Sequence, residues 1–138
     1  MKLFVAAKGL VTHQGKALIM RESSVYDDGT NAGKYDVPGG RIDPTESLFD
    51  AFLREVKEES GLDVTITRVI DVAEKFQPIQ NEECHVIRVY FHCESQHNNV
   101  KLSADHDAYE WIDPSTHTEY DLIADVHDTF EVFLKQTN

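Results

Sequence analysis

Cysteine is scarce in this chain: there are two in 138 residues, Cys84 and Cys93. That is too few for a disulfide framework, and it predicts two buried, reduced thiols and a cytoplasmic setting. Basic residues are scarce too. Thirteen Lys and Arg stand against 25 Asp and Glu, a formal net charge of −12, with no Lys/Arg cluster. A protein that grips a long polyanion needs a basic stripe, so long nucleic acids and anionic membranes are poor partners for this one. No apolar run approaches the roughly 20 residues of a membrane span. The opening MKLFVAAKGL has only five consecutive apolar residues before Lys8, short of the roughly 7–15 in a secretory signal. No repeat, low-complexity tract or Pro/Ser linker divides the sequence. Residues 1–138 are therefore expected to form one domain, long enough for a real core with a cleft beside it.

What is present reads as alternating strands and helices. Lys2–Val11 and Lys16–Arg21 are predicted strands around a turn at His13-Gln14-Gly15. Residues 21–40 hold four of the seven glycines and read as a long loop, of a length that is more often functional than idle. No Glu stands twelve positions after Asp27 or Asp28, so this is not an EF-hand. Asp43-Pro44-Thr45-Glu46 predicts a helix start, with Asp43 as N-cap, Pro44 at N1 and Glu46 closing a capping box. That helix should run to about Ser60 and stop at Gly61. Val64–Phe76 reads as one or two strands, His85–Cys93 as an alternating strand, and Ala108–Ile112 as a short one. Leu122, Ile123, Val126, Phe130, Phe133 and Leu134 recur at helical spacing and predict a terminal amphipathic helix. The sum is an α/β domain with a mixed sheet.

On a wheel at about 100° per residue, Leu48, Phe49, Phe52, Leu53 and Val56 form one apolar stripe, and Glu55, Glu58 and Glu59 flank it. Spacings of three and four bring these carboxylates onto one patch, while Lys57 falls on the far side. Glu59 lies near the edge of the buried stripe, where a bare charge is expensive. Hard divalent cations account for such an arrangement. Mg²⁺ takes oxygen ligands, bridges to substrate phosphate and lowers the pKa of a bound water. An acidic chain can bind a small phosphate ester when metal supplies the positive charge.

The acids belong to a longer pattern, G-x5-E-x7-R-E-U-x-E-E-x-G-U with U aliphatic, here Gly40, Glu46, Arg54, Glu55, Val56, Glu58, Glu59, Gly61 and Leu62. Chance would assemble it with odds on the order of 10⁻⁷ at average residue usage. The pattern resembles the signature of the Nudix hydrolases at every position. The lead-in Val37-Pro38-Gly39-Gly40 and the later Ala108-Tyr109-Glu110-Trp111 are similar to the family as well.

The resemblance implies a Nudix fold: a mixed sheet packed between helices, with the signature as loop-helix-loop. It further implies hydrolysis of a nucleoside diphosphate linked to another moiety, with Mg²⁺ or Mn²⁺ as cofactor and a small nucleotide as the partner. Carried over, Glu55, Glu58 and Glu59 would hold metal, with Glu55 or Glu58 also serving as base. Arg54 would orient the carboxylates, Glu46 would be a cap or Arg54 partner, and Gly40 and Gly61 would be backbone positions. Asp105 or Asp107 stands where family members often add a further carboxylate. Arg21 and Arg88 are candidate phosphate clamps, and Tyr26 and Tyr35 could stack on a base. The seven His show no ligand spacing. Compact size points to a nucleoside triphosphate substrate, while Pro78, about sixteen positions past the signature, points to ADP-ribose. A non-catalytic nucleotide sensor and a plain metal-binding domain are the readings from other classes. The oligomeric state is not legible.

Overall fold

The first two strands diverge, and the fold is built around that divergence. In this structure, a computed structural model describing residues 1–24 and 31–137, β1 (Lys2–His13) and β2 (Lys16–Glu22) pair only beside their turn, at Thr12–Ala17 and His13–Lys16. The following segment fills the fork. β3 (Tyr35–Asp36) pairs with Met20 and Arg21 of β2, and β4 (Gly39–Arg41) pairs with Ala6–Lys8 of β1. Between them Gly9 N–H donates to the Pro38 carbonyl at 2.8 Å. The loop expected over 21–40 thus contains two short strands, because each side of the fork offers it an unpaired backbone edge.

On its other edge β1 runs parallel to β6 (Glu82–Ser95), which forms a long antiparallel hairpin with β5 (Val64–Ile79). β7 (His106–Ile112) closes the far side of β2. The sheet is mixed, as expected, and covered on both faces. α1 (Leu48–Ser60) lies over one face, where Phe52, Val56, Val11, Leu18 and Phe91 form a core. α2 (Ala124–Gln136) lies over the other with Leu10, Ile19, Tyr90, Val126 and Phe130. Burial from both sides explains why β6 alternates between two apolar sets, Tyr90 facing one core and Phe91 the other. Cys84 and Cys93 are buried and free. No described helix is long and apolar enough to cross a membrane.

Three local readings are corrected. α1 begins at Leu48, one turn later than its acidic lead-in suggests, and its N-cap is Ser47, whose Oγ accepts the Asp50 N–H at 3.2 Å. Asp43 instead closes a turn of its own, accepting the Thr45 N–H at 2.9 Å and the Thr45 hydroxyl at 2.7 Å. A short acidic side chain before Pro satisfies such a turn as readily as a helix end. The buried face of α1 is also rotated. Ala51, Phe52, Val56 and Ser60 are enclosed, whereas Phe49 is 55% exposed and Leu53 37%. The helix seats itself through Phe52, whose ring lies over Gly9 where any side chain would collide. Finally, Leu122 and Ile123 precede α2 in extended chain tied to Tyr35, and a 3₁₀ turn over Pro114–Glu119 comes before them. Leu122 is nevertheless buried in the same core as the helix.

Candidate functional site

The fork delivers a backbone edge to the flank of α1. At Gly39 φ is 134°, and a Cβ would sit 2.1 Å from the Ala7 carbonyl oxygen, so only glycine passes here. The strand pressed against β1 in this way aims the Gly39 N–H at Glu59 Oε1, 3.0 Å away. One residue on, a Cβ at Gly40 would stand 3.0 Å from Glu55 Oε2; its absence leaves that carboxylate its room. At the far end of the helix Gly61 adopts φ 76° and returns its N–H to the Lys57 carbonyl at 2.9 Å, which is the predicted stop.

Arg54 organises the acids beside it. It binds Glu46 through two hydrogen bonds of 2.7 and 2.8 Å, reaches Glu58 at 3.1 and 3.2 Å, and Glu55 at 3.4 Å. Glu46 is therefore an Arg54 partner and not a cap. These bonds raise the guanidinium's pKa further. Glu55, Glu58, Glu59 and Asp105 line one cleft with the Gly39–Arg41 strand. Burial pushes the Glu55 carboxyl up despite Arg54. It pushes Glu59 further, to about 8, against the pull of Lys8 and the Gly39 N–H.

The cleft continues across the sheet past Lys8, Asp36, His106 and Arg88, and then to Lys34, Lys75 and Pro78. Arg88 points into it and binds Asp125 at 2.9 Å. Arg21 is placed elsewhere, in an exposed 2.7 Å pair with Asp107, and neither lines the cleft. Asp105 is brought to the acids and Asp107 is not. The Asp105 carbonyl accepts the Ser23 N–H at 2.8 Å, which ties this loop to the end of β2. Tyr35 is half-buried, edge-on to Tyr120 at 6.4 Å between ring centres; Tyr26 lies outside the described residues.

Two residues beside the acids escaped the sequence reading. Lys8 and Asp36 form a 2.9 Å ion pair with side chains only 13% and 17% exposed. Burial works to lower the Lys8 ammonium, but Asp36 and Glu59 outweigh it and raise it. The available signal was a lysine flanked on both sides by apolar residues in the middle of β1, where a buried ammonium needs an anion or ligand. Asp36→Ala should cost about 3 kcal/mol, because it strands a buried ammonium with Glu59 alone; urea unfolding checks this. His106 also lines the cleft, with Nδ1 buried and unpaired, and burial lowers its pKa.

The donor set suits a hard divalent cation: four carboxylates, all oxygen, around one cleft. Glu59 in particular has a carboxyl that burial keeps from ionising at its usual pH, and a cation would relieve that. As they stand, no three of the described His, Cys, Asp or Glu side chains converge closely enough to hold an ion. Glu55 and Glu58 are turned to Arg54, and holding metal requires them to turn away.

Comparison with known proteins agrees with this geometry. The NUDIX domain matches residues 2–132. The nucleoside triphosphatase NudI of Escherichia coli K12 is 28% identical over 120 residues, covering 82% of this chain and 84% of its own. The solved structure of a MutT protein from Methanosarcina mazei Go1 superposes with a TM-score of 0.85 at 29% identity, covering 99% of this chain and 96% of that one. An ADP-ribose pyrophosphatase from Streptococcus suis shares the fold at a TM-score of 0.72 and 19% identity, covering 98% and 92%.

Proposed function

This chain belongs to the Nudix hydrolase family, and from that premise we propose that it cleaves nucleoside triphosphates to the monophosphate and pyrophosphate with Mg²⁺ or Mn²⁺. The observation that carries the reading is the acid cluster of α1, held by Arg54 and the Gly39 N–H at the mouth of a cleft that runs on past Lys8 and Arg88. Glu55, Glu58 and Glu59 would hold the metal, with Asp105 as a further ligand. When bound, it supplies positive charge for the phosphoryl oxygens and lowers the pKa of the attacking water.

Of the two candidate bases, Glu55 suits the task better. It is half-buried with a raised pKa, and Arg54 is a distant 3.4 Å away. Glu58 is exposed and closer to Arg54. Arg54 would hold both until substrate arrives, acting as a positioning residue. Arg88, inside the cleft, would bind a phosphate, leaving Arg21 to its pair with Asp107. The relative named a nucleoside triphosphatase supports the triphosphate. ADP-ribose stays as a second reading because Pro78 lines the far end of the same cleft. Two buried free cysteines suit a reducing cytoplasm.

Attack by an activated water on phosphorus fixes where oxygen goes. In ¹⁸O water the label should enter a phosphate-bearing product, and the triphosphate should yield monophosphate and pyrophosphate only with Mg²⁺ or Mn²⁺. A diphosphate plus inorganic phosphate, or label on the ribose, would overturn the bond assignment. AMP and ribose 5-phosphate formed faster from ADP-ribose than monophosphate from any triphosphate would select the second reading.

A further inference from the structure

Tyr90 is wholly buried in the core beneath α2, yet among the described residues no group hydrogen-bonds its hydroxyl. Phenylalanine would fill the same space without enclosing an unpaired polar atom. The position of the hydroxyl shows what it can serve. Tyr90 is the register partner of Lys8 on the parallel edge of β1, and Arg88 precedes it by two residues on β6, so the three side chains leave the sheet on one face. Lys8 and Arg88 line the cleft, and Tyr90 does not. Its partner is therefore a side chain and not the substrate. Burial first, and the Asp36 charge next, push the phenol pKa up; Arg88 pulls it down, and Asp125 and Asp71 act more weakly. The proton stays on, the hydroxyl is a donor, and the Asp36 carboxylate is the acceptor that acts on it most strongly. In the free chain that carboxylate is already engaged, Oδ2 by the Lys8 ammonium at 2.9 Å and Oδ1 by the Val37 N–H at 2.7 Å.

We infer that Tyr90 is a positioning residue for Lys8: when a substrate phosphate draws the ammonium away from Asp36, the Tyr90 hydroxyl donates to the carboxylate left behind. The inference rests on the reading above that the phosphates of a nucleotide occupy this cleft. Lys8 suits the exchange. Its ammonium has three donors, lines the cleft, and feels both Glu59 and Arg88. A phosphate with more than one negative charge attracts it more strongly than a single carboxylate does. Asp36, with a side chain only 17% exposed, would then be a buried anion held by the Val37 N–H alone, and that penalty would oppose substrate binding. The hydroxyl removes the penalty. No proton changes owner: one N–H···O bond to Asp36 gives way to one O–H···O bond. The free chain carries an unpaired hydroxyl, and the occupied chain gains affinity from it.

Tyr90→Phe in the full chain tests this. Without substrate it should melt at or above the wild-type temperature, because it removes only an unbonded hydroxyl. With a nucleoside triphosphate and Mg²⁺ it should raise KM about tenfold or more and leave kcat within about threefold, since the bond forms on binding and persists through the chemical step. In a background carrying Lys8→Met and Asp36→Asn, which removes both charges of the pair, Tyr90→Phe should add nothing to KM. In the wild type, the ¹³C resonance of Tyr90 Cζ should shift as the triphosphate saturates the protein. A Tyr90→Phe chain that melts below wild type would mean the hydroxyl is already bonded in the free protein, and would overturn the inference. So would an unmoved KM, a KM effect that survives in the neutral background, or a resonance that stays in place. A wild type that cleaves the triphosphate with a KM indifferent to Tyr90→Phe overturns this inference alone; a wild type that binds neither a triphosphate nor ADP-ribose overturns the proposed function with it.

Discussion

Glu59→Gln should turn over nucleotide at least about 1,000-fold more slowly at saturating Mg²⁺, while folding as the wild type does. The amide keeps an oxygen to accept the Gly39 N–H, 3.0 Å from Glu59 Oε1, so the strand stays in place. What goes is the anion that a divalent cation would neutralise. Turnover within a few-fold of wild type would reject Glu59 as a ligand. The same variant isolates a pH effect. In the folded chain burial lifts this carboxyl from 4.5 to about 8. Between those values the folded state keeps a proton that the unfolded state has lost, so metal-free stability falls as pH rises through the window, on the order of a few kcal/mol. Thermal melts in chelator from pH 5 to 8 should show a decline in wild type that Glu59→Gln lacks. His92 and His106, whose pKa values burial lowers, act in the opposite sense in both proteins and cancel in the difference. Added Mg²⁺ should restore wild-type stability at pH 8, by about 2.7 kcal/mol at one hundred times its Kd. Identical pH slopes for the two proteins would mean that Glu59 is hydrated and not enclosed.

Gly39→Ala should be the most destabilising single methyl in the chain, at least about 3 kcal/mol and some 10 °C in Tm. The new Cβ would meet the Ala7 carbonyl oxygen at 2.1 Å and the Lys8 Cα at 2.7 Å, both backbone, and φ at 134° is closed to L-residues. β4 would have to leave β1, taking with it the donor to Glu59. Gly40→Ala is the control. Its methyl meets a movable carboxylate, Glu55, at 3.0 Å, so it should spare stability and lower kcat instead. Equal melting temperatures for Gly39→Ala and wild type would refute the fork geometry.

Strand alternation in His85–Cys93 and the Gly61 stop are local, and both are where they were expected, with β6 longer at each end. The acids of α1 share a flank because helical geometry alone dictates it. The start of α1 lies one turn past its acidic lead-in because Asp43 can satisfy a turn or a helix with the same oxygen, and only the path of the chain through the fork decides. Periodicity places Phe49 inward because it registers apolar residues and not the length of the surface beneath them. Lys8 and Asp36 are 28 residues apart and Arg21 and Asp107 are 86 apart. Pairings of that range belong to the sheet topology, which no window of sequence contains.

The parallel pairing of β1 with β6 has a kinetic consequence. Thr12 and His92, joined by a 2.9 Å hydrogen bond, stand 80 residues apart. During synthesis β1 emerges first, but its long edge stays unpaired until more than half of the chain has followed. Contacts of such separation are slow to close, and an apolar strand waiting for its neighbour is the part of a nascent chain most open to wrong pairing. The order in which ribosomes deliver this protein therefore puts its first strand at greatest risk. The interruption of that strand by Lys8, whose ion pair sits beside the acids in the finished fold, also makes it less adhesive while it waits.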